Sequence, residues 1–170
     1  AILLSIGNVA RDLQQYEVAL SYYQAAQKKA PNAIASVQAL FNQLSLLVET
    51  NQREKALALV PQVESTLANL SPNRSSIYAR VNVAESLSRL SMNNPQKIGN
   101  ILAIAIQQAR QLGDTRAEAY SLTGLGKLYE DNQQWQDSKN LTEQALQLAQ
   151  NIDASDITAR AAWQLGRILK

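Results

Sequence analysis

The sequence predicts an all-α fold, a right-handed α-α superhelix (solenoid) of about four and a half helix-turn-helix repeats. Three observations carry that prediction. Leu125-Gly126-Lys127-Leu128-Tyr129 returns 40 residues later as Leu165-Gly166-Arg167-Ile168-Leu169, and a fixed period near 40 is the mark of stacked helical hairpins. Apolar residues make up 46% of the chain and aromatics only 5%, so the small and unbranched helix formers Ala and Leu dominate. Three of the four prolines, Pro31, Pro72 and Pro95, fall between apolar periodic stretches, where a helical chain is punctuated.

Aligning the glycine or small residue of each first helix gives Gly7, Leu44, Ala84, Gly126 and Gly166, spaced 37, 40, 42 and 40 residues apart. The chain then divides into repeats at 1–32, 33–72, 73–113, 114–153 and 154–170 of one repeat domain. Each repeat holds two amphipathic helices, A and B. The first A helix covers 2–12, and its B helix, 15–29, ends on Lys28-Lys29 before Pro31. Cations suit the negative end of a helix, and proline stops it. The second pair, 33–50 and 53–69, is divided by Asn51-Gln52 and closed by Ser71-Pro72-Asn73. Pro61 stands inside that B helix, where it removes a backbone bond, so a kink or a later start is expected there. The third pair covers 75–91 and 95–111, with Asn94 capping and Pro95 at the first helical position. Gly113-Asp114 leads into 115–131, and Asp131-Asn132-Gln133-Gln134 leads into 135–151. The last A helix is 155–169. The chain opens without methionine inside an apolar run and closes inside a periodic segment, so a longer parent protein is expected.

Small residues recur where helices must approach closely: Gly7, Ala19 and Ala26 around Tyr23, and Gly126, Ser138 and Ala145 around Tyr129. Tyr16 and Trp135, at the starts of their B helices, read as wedges in the A–B turn. This order of Leu-Gly-x-x-Tyr, small, bulky, small and a terminal proline resembles the tetratricopeptide repeat. The first repeat matches from Gly7 to Pro31; the fourth has Ser138 for the usual alanine. The second and third match in pattern only, with Leu44 and Ala84 at the glycine. The period exceeds the family's usual 34, which implies longer helices. The family binds proteins or peptides, so the resemblance implies a scaffold. The long period, the glutamine-rich helices and the phrase Gly113-Asp114-Thr115-Arg116-Ala117-Glu118-Ala119 are also similar to arrays in large bacterial proteins. Such arrays precede caspase-like (CHAT) protease domains or sit beside DNA-binding regulators. An alternative function follows, a ligand-sensing arm that controls a fused output domain.

In this family the inner face of the A helices meets the ligand. By position that face comprises Asn8, Phe41, Ser45, Tyr78, Glu85, Tyr120, Thr123, Lys127, Trp163 and Arg167. Arg11, Glu49, Arg89 and Glu130 fall one turn on, nearer the rim. Isolated charges of both signs among aromatics suit a peptide with apolar anchors. The aromatics Phe41, Tyr78 and Tyr120 can equally pack between repeats. Some family members grip a terminal carboxylate with two asparagines and three cations. Here Asn8 and Asn42 fall at the asparagine positions, but Leu4, Tyr78 and Asn82 replace the cations, so that mode is rejected.

Composition narrows the chemistry. Without histidine or cysteine the chain has no thiol nucleophile, no Ser-His-Asp relay and no thiolate zinc site, so no enzyme, metal or cofactor is expected. Neighbouring carboxylates such as Glu130-Asp131 diverge on a helix and cannot share a proton. Net charge is +2 with both signs interspersed, which argues against nucleic acid. At the end of the chain Arg160, Arg167 and Lys170 have no acidic neighbour after Asp156, and they read as a solvated face. No apolar run approaches the ~20 residues of a membrane span, and no signal peptide opens the chain, so a cytoplasmic setting without membrane contact is expected. Trp163, Leu165, Ile168 and Leu169 make the last helix apolar on two faces, which predicts self-association through 157–169.

Overall fold

The computed structural model describes residues 2–90 and 94–170, apart from the side chain of Ala33. The described residues form helices and no strand. The elements are α1 (Ile2–Asp12), α2 (Tyr16–Lys28), α3 (Ala33–Glu49), α4 (Arg53–Ala68), α5 (Arg74–Arg89), α6 (Pro95–Gln111), α7 (Thr115–Asp131), α8 (Trp135–Asn151) and α9 (Ser155–Ile168). Their bounds lie within 2 residues of those read from the sequence. Ser91, the expected end of the third A helix, lies outside the described residues. The helices gather into two compact units, Ala1–Leu70 with α1–α4 and Ser71–Lys170 with α5–α9.

Local chemistry sets the helix starts. Asn32 accepts from the Ala35 N–H, Asn94 from Lys97 and Asp114 from Ala117. Asn73 and Ser76 form a reciprocal capping box. Each cap satisfies one of the backbone donors that a helix start leaves open. Gln14, Asn51, Gly113, Gln133 and Asp153 close the turns with positive φ. The residue after each one bonds back to the carbonyl five positions earlier, as Gln134 does to Tyr129 at 2.9 Å. Pro61 neither delays nor shortens α4: the helix starts at Arg53 and runs through an exposed Pro61.

Each B helix buries a seam with the 4-3 spacing of a helix face, extended to 4-3-4 on α4, α6 and α8. In the first unit this is Ala19, Tyr23 and Ala26 on α2, and Ala56, Val60, Val63 and Leu67 on α4. The second has Ile98, Leu102, Ala105 and Ala109 on α6, and Ser138, Thr142, Ala145 and Ala149 on α8. The A helices α3, α5 and α7 are buried around more of their circumference, whereas α1 and α9 bury a single seam each.

Two glycines show how close the helices come. A Cβ at Gly7 would lie 2.5 Å from the Tyr23 ring, so the glycine is the socket for that wholly buried side chain. At Gly126 a Cβ would meet Thr142 at 2.8 Å and Gln164 at 2.9 Å. That approach lets the Ser138 hydroxyl donate to the Gly126 carbonyl at 2.8 Å. Thr142 donates to the Ser138 carbonyl, and Gln164 to Thr142 Oγ1, so this polar seam between α7, α8 and α9 is bonded throughout. It explains why serine stands where the repeat pattern expects alanine.

Candidate functional site

In the Ser71–Lys170 unit α5, α7 and α9 bring four aromatic and polar side chains around Tyr120. Its ring meets Tyr78 edge to face, with centroids 4.6 Å apart and planes at 85°. The Arg160 guanidinium lies 4.9 Å from the same ring centre. The Tyr120 hydroxyl donates to Asn82 Oδ1 at 2.8 Å. Arg160 also pairs with Glu85, so a contact 75 residues apart in sequence ties α9 to α5 across Tyr120. Burial, and then the neighbouring Tyr78, push the Tyr120 hydroxyl above its ordinary pKa. At neutral pH it is a neutral donor. Asn82 is exposed, and with its Oδ1 engaged the NH2 is the group of that amide able to donate to a ligand.

Further along α7 and α9, Arg167 grips Glu130 in a two-pronged bond of 2.8 and 2.9 Å, and Lys127 pairs with Asp131. Arg74 bonds Asp114 through both oxygens at 2.6 and 3.0 Å, and Arg116 bonds Asp156 at 2.6 Å. Two of the three cations at the end of the chain, Arg160 and Arg167, are therefore paired. Arg160 and Arg167 have acidic partners 75 and 37 residues upstream, close in space because the repeat returns there. In the Ala1–Leu70 unit Arg11 plays a similar part, bonding Glu49 at 2.7 Å and Ser45 at 3.0 Å. Asn8 accepts from the Tyr23 hydroxyl at 2.8 Å and from Asn42 at 3.3 Å. Each unit thus pins the carbonyl of one exposed asparagine with a tyrosine hydroxyl.

The structure sorts the sequence candidates. Tyr78, Glu85 and Tyr120 meet in one cluster, with Asn82 and Arg160 as members that the sequence reading left out of the site. Lys127 and Arg167 stand beside it as paired charges. Asn8 and Ser45 belong to the first unit, as does the half-buried Phe41. Thr123 is wholly buried and its hydroxyl donates to the Tyr120 carbonyl, so it presents nothing to a ligand. Trp163 is 73% exposed and makes no ring contact with the cluster. Trp135 is also half exposed and not a buried wedge. The signal that would have found Arg160 is the period itself: it lies 40 residues after Tyr120. Among the described residues no cluster of potential metal ligands occurs, and no helix is long and apolar enough to cross a membrane.

No protein-family model matches the sequence, and no curated protein matches it. Solved structures do. A Rap protein complexed with competence and sporulation factor is similar with a TM-score of 0.75 over 98% of this chain and 46% of its own, at 15% identity. Aspartyl phosphate phosphatase F from Bacillus subtilis has a TM-score of 0.77 over 98% of this chain and 44% of its own, at 12% identity. BtubC from P. vanneervenii has 0.65 over 93% and 64%, at 14% identity. The chain shares the helical-repeat fold of Rap proteins. The likeness at these identities is one of fold alone, and the chain spans less than half the length of those Rap chains.

Within the Rap-like fold the ion pairs make a definite prediction. The Arg74 bond holds the Asp114 carboxyl below the usual carboxylate range, and Arg167 and Arg116 do the same for Glu130 and Asp156. A depressed folded pKa gives stabilisation that is complete above the unfolded value, about pH 4. That stabilisation is lost as pH falls through the folded values. Asp114→Asn keeps a capping oxygen for Ala117 but loses the charge. The variant is expected to melt below the parent at pH 7, and the gap should shrink at acid pH, once pH has fallen through the depressed folded value and the Asp114 carboxylate has taken up its proton. Melting curves at the two pH values check this; a gap that stays constant contradicts it.

Proposed function

We propose that the chain is a protein- or peptide-binding scaffold, and that its ligand lies on the α5–α7–α9 face of the Ser71–Lys170 unit. The observation that carries this reading is the Tyr78–Tyr120–Arg160 cluster with Asn82 at its edge. Aromatic rings and arginine dominate binding hot spots. Here the rings are already held by each other, by Asn82 and by the guanidinium, so little side-chain freedom remains to be lost on binding. The Asn82 NH2 can donate to a ligand backbone carbonyl, which suits an extended peptide.

The pairing of charges supports the choice of ligand. Arg74, Arg116, Lys127, Arg160 and Arg167 each face a carboxylate of the same unit. Such a surface has little positive potential to offer a polyanion, and nucleic acid is a poor candidate. The same pairing speaks against catalysis, because a general acid or base works best with a pKa near the operating pH. Asp114, Glu130 and Asp156 are held in the opposite direction.

The solved relatives lean toward binding without deciding it. One Rap protein is seen with competence and sporulation factor, and another is named a phosphatase. The finer reading, a tetratricopeptide-type array of long period, is supported by Gly7 seating Tyr23 and by Gly126 seating Ser138 and Thr142. Selection of a random-sequence peptide library on the immobilised chain tests the function. Enriched peptides that bind the free chain in solution are expected; hydrolysis of an acyl phosphate without peptide binding would overturn the scaffold reading.

A further inference from the structure

We infer that the Arg160 guanidinium is the subsite for one acidic side chain of the bound peptide, and that Glu85 holds that place while the face is empty. This rests on the α5–α7–α9 face being the ligand site and names the side chain that the site selects. Three features set Arg160 apart from Arg74, Arg116 and Arg167. The first is reach. Arg74–Asp114, Arg116–Asp156 and Glu130–Arg167 join α5 to α7 or α7 to α9, at separations of 40, 40 and 37 residues. Arg160–Glu85 joins α9 to α5, 75 residues apart, with the Tyr120 ring of α7 between them. The two side chains are 34% and 35% exposed, and holding two flexible chains in one partly hydrated pair gains little.

The second feature is the number of bonds. Arg74 and Arg167 each engage both oxygens of their carboxylate. Arg160 donates to a single oxygen of Glu85, and among the described residues no other acceptor takes its remaining N–H groups. A guanidinium is a planar fork suited to two parallel bonds with a carboxylate, so this fork is left partly open. The third is compensation of charge. Bonds to Asp114, Asp156 and Glu130 push the guanidinium groups of Arg74, Arg116 and Arg167 above their ordinary pKa, whereas burial pushes Arg160 below it. Arg160 is still charged at neutral pH. It has given up water without a full set of bonds in return.

Asn82 and Arg160 both touch Tyr120, so a peptide whose backbone carbonyl takes the Asn82 NH2 has a side chain within reach of the fork. An Asp or Glu there takes Arg160 by two bonds, and Glu85 turns out to water. One carboxylate replaces another, so the face remains a poor fit to a polyanion. A terminal carboxylate is the weaker candidate, since Tyr78 and Asn82 stand where a terminal clamp needs cations. The opposite assignment, Glu85 as receptor for a ligand cation, predicts the opposite sign for removing the Glu85 charge.

Selection of a synthetic random-peptide library with amidated C-termini, on the parent chain and on Glu85→Gln, tests this. Binders that weaken on Tyr120→Ala are the ones at this face. They are expected to carry an Asp or Glu whose change to Asn or Gln costs about tenfold in affinity on the parent. Glu85→Gln should bind the acidic peptides about threefold more tightly, because their competitor is gone. Arg160→Gln should erase the difference between acidic and amide peptides, and Glu85→Gln carries the test even where Arg160→Gln fails to fold. Binders at this face that are indifferent to the acid, or that carry Lys or Arg and weaken on Glu85→Gln, overturn the inference and leave the scaffold reading standing. Binders that all ignore Tyr120→Ala, or a library without binders, overturn the choice of face and the Arg160 subsite with it.

Discussion

Tyr23→Ala is expected to destabilise the Ala1–Leu70 unit by about 3–5 kcal/mol, the range for truncating a large ring in a tight core. Tyr23 is wholly buried, its ring fills the space left by the missing Cβ of Gly7, and its hydroxyl holds Asn8. Truncation loses the packing and one of the two hydrogen bonds to the Asn8 side-chain carbonyl together. Gly7→Ala probes the same joint from the other side. In an exposed helix that change would gain about 1 kcal/mol. Here the new Cβ would sit 2.5 and 2.7 Å from two ring carbons, so a loss is expected instead. Gly166→Ala, where the space is open, should give the gain. Urea titrations of the three variants check this. A Tyr23→Ala loss below about 1 kcal/mol would mean that the joint collapses onto the cavity.

Tyr120→Ala is expected to weaken binding of a library-selected peptide about 30-fold, the effect of removing a central hot-spot ring. The ring is the common neighbour of Tyr78, Asn82 and Arg160, so its loss disperses the cluster as well as the contact. Tyr120→Phe keeps both ring contacts and frees Asn82, and about fivefold is expected for one lost hydrogen bond. Ile104→Ser, on the exposed side of α6, should leave binding unchanged. Titration calorimetry gives the affinities, and melting curves show whether each variant stays folded. Equal affinity for Tyr120→Ala and the parent would remove the cluster from the site.

The helices were legible because their causes are local. Asn94 caps at the expected position, Asn32, Asn73 and Asp114 cap the starts of α3, α5 and α7 in the same way, and the apolar spacing changes phase at each polar turn. The division after Leu70 was not legible, because Ser71-Pro72-Asn73 reads like any other turn between repeats. Thr123 misled because position on a first helix was taken to mean the inner face, and α7 is covered on more than one side. The charges misled for a different reason. Judged by sequence neighbours, Arg160 and Arg167 looked unpaired. Judged by the period, partners 37 to 40 residues away recur throughout: Arg11 with Glu49, Arg74 with Asp114, Arg116 with Asp156, Glu130 with Arg167. The aromatic cluster obeys the same rule, since Asn82 lies 38 residues before Tyr120. Tertiary contacts in a repeat fold are periodic in sequence, so the period locates partners as well as helices.

Hydrogen exchange of the chain with and without a library-selected peptide tests the central claim most directly. Protection concentrated in α5, α7 and α9, around Asn82, Tyr120 and Arg160, is the predicted result. Protection confined to α6 and α8, with those three helices unchanged, would contradict it and place the ligand on the other side of the unit.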